Sequence, residues 1–201
     1  MSCGCEPPNG QSPAERRVLS IALVLNATMF VVGLAAGLVA QSTSLLADSL
    51  DMLSDASAYG IALVAIHRSA GFKVGAARLS GAILTILGLG VLVDVARRAL
   101  LGAEPTSWIM LATATLSLIV NSTVLRLLTP FRSGEVHLRA TWIFTRADVV
   151  ANLAVIAAGA IVMLVGWRWV DLVVGAAIGL YVLREAVEIL REARDAGDRQ
   201  A

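Results

Sequence analysis

Apolar runs of about 20 residues, the length that crosses a hydrocarbon core roughly 30 Å thick, recur along the chain between short polar turns. The first, Val18 to Ala40, follows Arg16 and Arg17 and stops at Gln41-Ser42-Thr43-Ser44. The second, Leu45 to Ile66, stays apolar through Ile61, Leu63, Val64 and Ile66 although Asp48, Asp51 and Asp55 interrupt it. The third runs from Leu79 to Leu92, extending to Val95, and is rich in Gly and Leu. The fourth, Trp108 to Leu125, begins after the breaker Glu104-Pro105 with Thr106 or Ser107 at the N-cap, and Pro130 closes it. The fifth, Leu138 to Val165, encloses Arg146 and Asp148. The sixth, Trp169 to Leu190, opens beside Trp167, and the two tryptophans suit a membrane interface. From Arg184 to Arg199 the charges alternate in sign, as on a solvated helical tail. The pattern predicts an all-α integral membrane protein, a bundle of six transmembrane helices.

Loop charge orients the bundle, because Lys and Arg accumulate on the cytoplasmic side. With both termini cytoplasmic, the inner segments hold Arg16, Arg17, Arg68, Lys73, Arg78, Arg126, Arg132, Arg139, Arg184, Arg191, Arg194 and Arg199, against Arg97, Arg98 and Arg168 outside. The expected organisation is a polar cytoplasmic tail at 1–17, a six-helix domain at 18–190 and a short cytoplasmic tail at 191–201, with no C-terminal cytoplasmic domain. The N-terminal tail lacks the short apolar core of a signal peptide, so the first helix is expected to be retained.

Composition narrows the partners. Of 201 residues, 57% are hydrophobic and 15% charged, where a soluble domain carries about 25% charge. A net charge of +1 and 5% aromatic residues provide neither a phosphate-neutralising surface nor a base-stacking platform, so no nucleic-acid partner is expected. The chain shows no H-E-x-x-H, Ser/His pair or Gly-rich nucleotide loop, and is not expected to be an enzyme or to hold a cofactor.

The chemistry lies in the acids. A carboxylate at the centre of a membrane helix costs roughly 2.5 to 3.5 kcal/mol to insert and marks a functional site by default. At about 100° per residue, Asp48, Asp51 and Asp55 share an arc of roughly 60° on one helix face. Like charges so placed repel unless protonated or bridged by a cation. Asp48 is also close enough to the 41–44 turn to be a polar, water-facing residue at the helix end. The fifth segment contributes Asp148, with Asn152 one turn along the same face. Paired donors on two facing helices are a means of converging oxygen ligands on one ion.

The stretches SLLADSLDMLSDA at Ser44–Ala56 and RATWIFTRADVVANLAVI at Arg139–Ile156, with KVGAARLSGA at Lys73–Ala82 and WVDLVVGAAIG at Trp169–Gly179, resemble the cation diffusion facilitator family of divalent-metal transporters. The resemblance covers roughly residues 16 to 190. It implies transport ligands at Asp51 and Asp55 on the second helix and Asp148 on the fifth; water, Asp48 or Asn152 is available to complete the set. It also implies divalent metal as transported substrate, proton antiport, a homodimer and a multi-pass place in the plasma (inner) membrane. The family's usual fifth-helix His falls on Phe144, which cannot ligate. Three carboxylates without an imidazole leave iron, manganese, cobalt, zinc and cadmium all open, since oxygen donors favour harder cations. The same departure supports the alternative of a non-transporting relative acting as metal sensor or assembly partner.

The remaining polar residues carry weaker signals. Cys3 and Cys5 could capture a soft metal or belong to a disordered tail; His67 and His137 read as ordinary surface residues. Asp94 can pair with Arg97 or Arg98, and Asp171 reads as a cap or helix contact rather than a ligand. Arg146, about 200° around the helix from Asp148, either pairs with an acid, with backbone carbonyls or at a dimer contact, or balances the carboxylates when the metal leaves.

Overall fold

A computed structural model of the chain describes residues 13–64, 70–102, 104–131 and 136–198. They form six long helices: α1 (Pro13–Ala40), α2 (Thr43–Val64), α3 (Ala70–Leu101), α4 (Ser107–Leu128), α5 (Val136–Val165) and α6 (Trp169–Asp198), with a single 3₁₀ turn at Thr129–Phe131. Among the described residues there is no strand. Short connections reverse the chain from each helix to the next, so successive helices run antiparallel, although α3 and α4 hardly touch. The most extensive pairings are α1 with α2, α3 with α6, and α4 with α5.

The helices outrun the expected spans where polar residues continue the helical pattern. α3 has 32 residues rather than the short span from Leu79 to Val95, about 48 Å at 1.5 Å per residue. α6 carries its charged end as unbroken helix to Asp198. Thr106 is the N-cap of α4, although its side chain makes no capping bond.

Pro13–Ala40, Val74–Leu101, Ser107–Leu128 and Thr145–Val165 are each long and apolar enough to cross a membrane. α2 and α6 are the polar pair, with Asp48, Asp51 and Asp55 on one and Asp171, Arg184, Glu185 and Glu188 on the other. Burial offsets this in α2, where every residue from Ser42 to Met52 is buried. A helix enclosed by protein tolerates polar groups that lipid would not. The outer surface is correspondingly apolar: Ile86, Leu100, Leu164 and Val165 are all largely exposed.

The core forms around α2. Leu45, Leu46 and Leu50 pack with Leu84 and Val91 of α3, Met110 of α4, Val155 of α5 and Ile178 and Val182 of α6. A second cluster joins Leu19 and Ala22 of α1 to Tyr59 of α2 and Val124 and Leu128 of α4.

One end of the bundle is closed by its connections. α3 and α5 stop at Gly102 and Gly166, whose φ of 85° and 70° suit a residue without a Cβ. Thr106 N–H donates to the Ala40 carbonyl at 2.8 Å, drawing the α3–α4 connection against the end of α1. Arg98 is buried rather than a loop charge: it pairs with Asp94 and donates to the Gln41 carbonyl at 2.6 Å. Asp94 also pairs with Arg97 at 2.9 Å, as expected. Trp108, Trp167 and Trp169 are exposed at this end.

Asp171, in the first turn of α6, clasps the start of α2. Its Oδ1 accepts from Ser42 Oγ and Ser44 Oγ, each at 2.6 Å, and from Ser44 N–H at 3.2 Å. Its Oδ2 accepts from Thr43 N–H at 2.9 Å and Thr43 Oγ1 at 3.1 Å. A carboxylate at a helix N-terminus satisfies amides that have no partner within the helix and complements the helix dipole. One turn on, Gly175 permits the approach, since a Cβ there would lie 2.7 Å from the Thr43 carbonyl carbon.

Candidate metal centre

The antiparallel register of α2 and α5 sets two polar levels across their interface. At the level nearer the Asp171 clasp, Asp48 Oδ1 accepts from Asn152 Nδ2 at 2.5 Å and Oδ2 accepts from Ser117 Oγ at 3.0 Å. Asn152 Oδ1 in turn accepts from Asn121 Nδ2 at 3.1 Å. All four residues are buried. Both oxygens of Asp48 are thereby engaged in a network joining α2, α4 and α5, and Asn152, read from the sequence as a spare donor, orients Asp48.

One turn further along α2, Asp51 and Asp55 lie at the level of Asp148 on α5, near enough for the three charges to interact. Asp51 is 5% exposed and Asp148 3%. Asp148 Oδ2 is buried without a hydrogen-bond partner. Such an acceptor costs free energy until a cation, proton or donor reaches it. Below this level Tyr59 Oη lies 3.5 Å from Asp55 Oδ2 and 3.2 Å from Thr145 Oγ1, placing a hydroxyl layer beneath the carboxylates. Among the described residues no three His, Cys, Asp or Glu side chains gather tightly enough to enclose an ion in this conformation.

A fourth carboxylate stands beside these. Glu185 of α6, partly exposed, accepts from Ser54 Oγ at 2.9 Å, one turn after Tyr181 on its own helix, and its charge adds to those of Asp51, Asp55 and Asp148. Its sign-alternating surroundings hid it in the sequence, but the signal was available. Glu185 lies three residues after Val182 and seven after Ile178, on the face of α6 that those buried residues define. Between α5 and α6 a cavity of about 290 Å³, lined by Asp148, Ala151, Val174, Ile178 and Tyr181, reaches the same level.

Other expected positions fall elsewhere. Arg146 is exposed on α5, turned away from the buried Asp148. Asp171 is a helix cap, as expected. Cys3, Cys5 and His67 lie outside the described residues, as do the side chains of His137 and Phe144.

Comparison with known proteins agrees with this architecture. Residues 19–196 match the family model of the cation efflux transmembrane domain. The metal cation efflux system protein CzcD of Cupriavidus metallidurans is 30% identical over 83% of this chain and 57% of its own length. The zinc transporter ZitB of Pectobacterium atrosepticum is 28% identical over 90% of this chain and 61% of its own. The cadmium, cobalt and zinc/H(+)-K(+) antiporter of Bacillus velezensis is 22% identical over 92% and 63%. The chain thus spans about three fifths of the length of these curated relatives.

Proposed function

Because the chain belongs to the cation efflux family, we propose that it is a secondary transporter that exports a divalent transition-metal ion from the cytoplasm in exchange for protons. The ion is held by Asp51, Asp55 and Asp148, and Asp48 supports that site from the adjoining polar level. The observation that carries this reading is Asp148: a buried carboxylate with one oxygen unpartnered, facing two further carboxylates across the α2–α5 interface. The names of the relatives, which include a zinc transporter and a cadmium, cobalt and zinc antiporter, support the substrate class.

The same proposal places all six helices across the inner membrane, with both termini cytoplasmic. α2 and α6 cross as the polar pair, α2 enclosed by the other helices and α6 turning Val173, Leu180 and Val187 outward. The domain reading of 18–190 as one transport unit, and the homodimer, belong to the proposal as well. Clustered carboxylates can be neutralised by a divalent cation or by protons, so metal entry releases protons and protonation releases metal. That exclusive choice is the physical basis of antiport.

The test is uptake of Mn²⁺, Fe²⁺, Co²⁺, Zn²⁺ and Cd²⁺ into proteoliposomes with an acidic lumen. Wild type is expected to move at least one of these ions in a gradient-dependent way, with flux abolished by Asp51→Ala and by Asp148→Ala. Flux indifferent to the pH gradient would overturn antiport. No flux of any ion, in protein shown to be folded and inserted, would overturn transport.

A further inference from the structure

We propose that Glu185 of α6 is a specificity-determining residue of the ion site, the fourth oxygen donor of an all-carboxylate set with Asp51, Asp55 and Asp148, and that it favours harder divalent cations such as Mn²⁺ over Zn²⁺. The inference rests on the transporter reading above but concerns a helix that the α2–α5 ligand pattern does not include. Three observations carry it. Glu185 is partly exposed and tied to α2: Ser54 Oγ, one residue before Asp55, donates to its Oε2 at 2.9 Å, and Tyr181 lies one turn before it on its own helix. Ser54 lies three residues after Asp51 on one face of α2, so this bond sets the Glu185 carboxylate beside the acidic face of that helix. Asp148 Oδ2, in a residue 3% exposed, has no hydrogen-bond partner and is left for a cation or a proton to satisfy.

Room for the approach lies on the correct side. α5 and α6 touch far less than α3 and α6 or α4 and α5, and the cavity between them is bounded by both Asp148 and Tyr181. The three aspartates provide oxygen donors from α2 and α5, and Glu185 adds one from a third direction. Four carboxylates and no imidazole or thiolate form a donor set suited to a cation that takes six oxygen ligands, with water completing the shell. Zinc, which gains from imidazole and thiolate, has less to gain there.

The experiment compares wild type with Glu185→Gln in two ways: Mn²⁺ and Zn²⁺ binding to the detergent-solubilised protein, read as metal-dependent thermal stabilisation, and Mn²⁺ and Zn²⁺ uptake into vesicles. Altering groups that support a metal site commonly costs about 10- to 100-fold in affinity. The expected result is a loss in that range for Mn²⁺, a smaller loss for Zn²⁺ and a metal-free melting temperature close to wild type. Unchanged binding of both metals would overturn the proposal. So would equal weakening of both, which marks Glu185 as scaffold alone. Should Glu185→Gln fail to fold, Glu185→Asp keeps the charge while withdrawing it by one methylene, and an unchanged Mn²⁺-to-Zn²⁺ preference in that variant would overturn the proposal. Wild type that binds metal but moves none would overturn the transporter reading and leave this one standing. Wild type that binds neither metal would overturn both.

Discussion

Asn152 and Asp48 meet across the α2–α5 interface, the amide Nδ2 donating to the carboxylate Oδ1 at 2.5 Å while Asn121 donates to Asn152 from behind. Leaving a buried polar group without its partner costs about 1 to 3 kcal/mol. Asn152→Leu removes one donor to Asp48 and the acceptor for Asn121, so destabilisation toward the upper end of that range is expected in equilibrium unfolding. Asn152→Asp retains the volume but sets a second carboxylate against Asp48, and is expected to destabilise more than Asn152→Leu at neutral pH.

Asp171 accepts from five donor atoms on Ser42, Thr43 and Ser44. Loss of an ordinary N-cap costs about 0.5 to 2 kcal/mol. Here the orphaned donors are buried, so Asp171→Ala is expected to exceed about 2 kcal/mol. Thermal unfolding in detergent checks this, and the surviving folded fraction should keep the wild-type order of metal preference.

Gly175 packs against the backbone of Thr43 and Ser44, where a Cβ would sit 2.7 Å and 2.8 Å from main-chain atoms. Backbone cannot swing aside as a long side chain can. Gly175→Ala is therefore expected to cost about 1 to 3 kcal/mol as an overpacked contact, while Gly90→Ala, with open space around it, should be tolerated. Paired melting curves of the two variants give the comparison.

Asp148→Asn separates stability from function. The substitution keeps shape and removes one of several like charges facing Asp51 and Asp55. Metal-free protein is expected to melt at or above the wild-type temperature. Wild type should gain about 2.7 kcal/mol at a metal concentration 100 times Kd, and Asp148→Asn should gain none. A variant that melts lower without metal, or still responds to it, would contradict the site.

The four apolar helices were legible in the sequence because a lipid-facing surface demands an unbroken apolar run, and α1, α3, α4 and α5 provide one. The acids at Asp51, Asp55 and Asp148 stood out for the converse reason, being costly where they are. Glu185 did not stand out. Its neighbours Arg184 and Glu188 are exposed, and a charge-alternating stretch looks the same whether one of its members is solvated or faces another helix. Asp48 shows the opposite limit: its place on the acidic face of α2 was evident, but its partners Ser117 and Asn152 lie 69 and 104 residues away. Only the packing of α4 and α5 against α2 reveals that its oxygens are engaged. The end of α5 at Val165, just before Gly166, was legible; the ends of α3 and α6 were not, because the helix runs on past the apolar stretch to Leu101 and Asp198.

The clasp between Asp171 and the first turn of α2 acts on these two helices as the spring does on a clothes-peg. Held together at one tip, α2 and α6 can part only by splaying, and the gap must widen with distance from the pin. Ser54 and Glu185 meet well down from that pin, so a small change in the angle between the helices separates or joins them while Ser42 and Asp171 hardly move. Leverage of this kind turns the best-tied end of the bundle into its pivot, and puts the freedom to open at the level where the carboxylates lie.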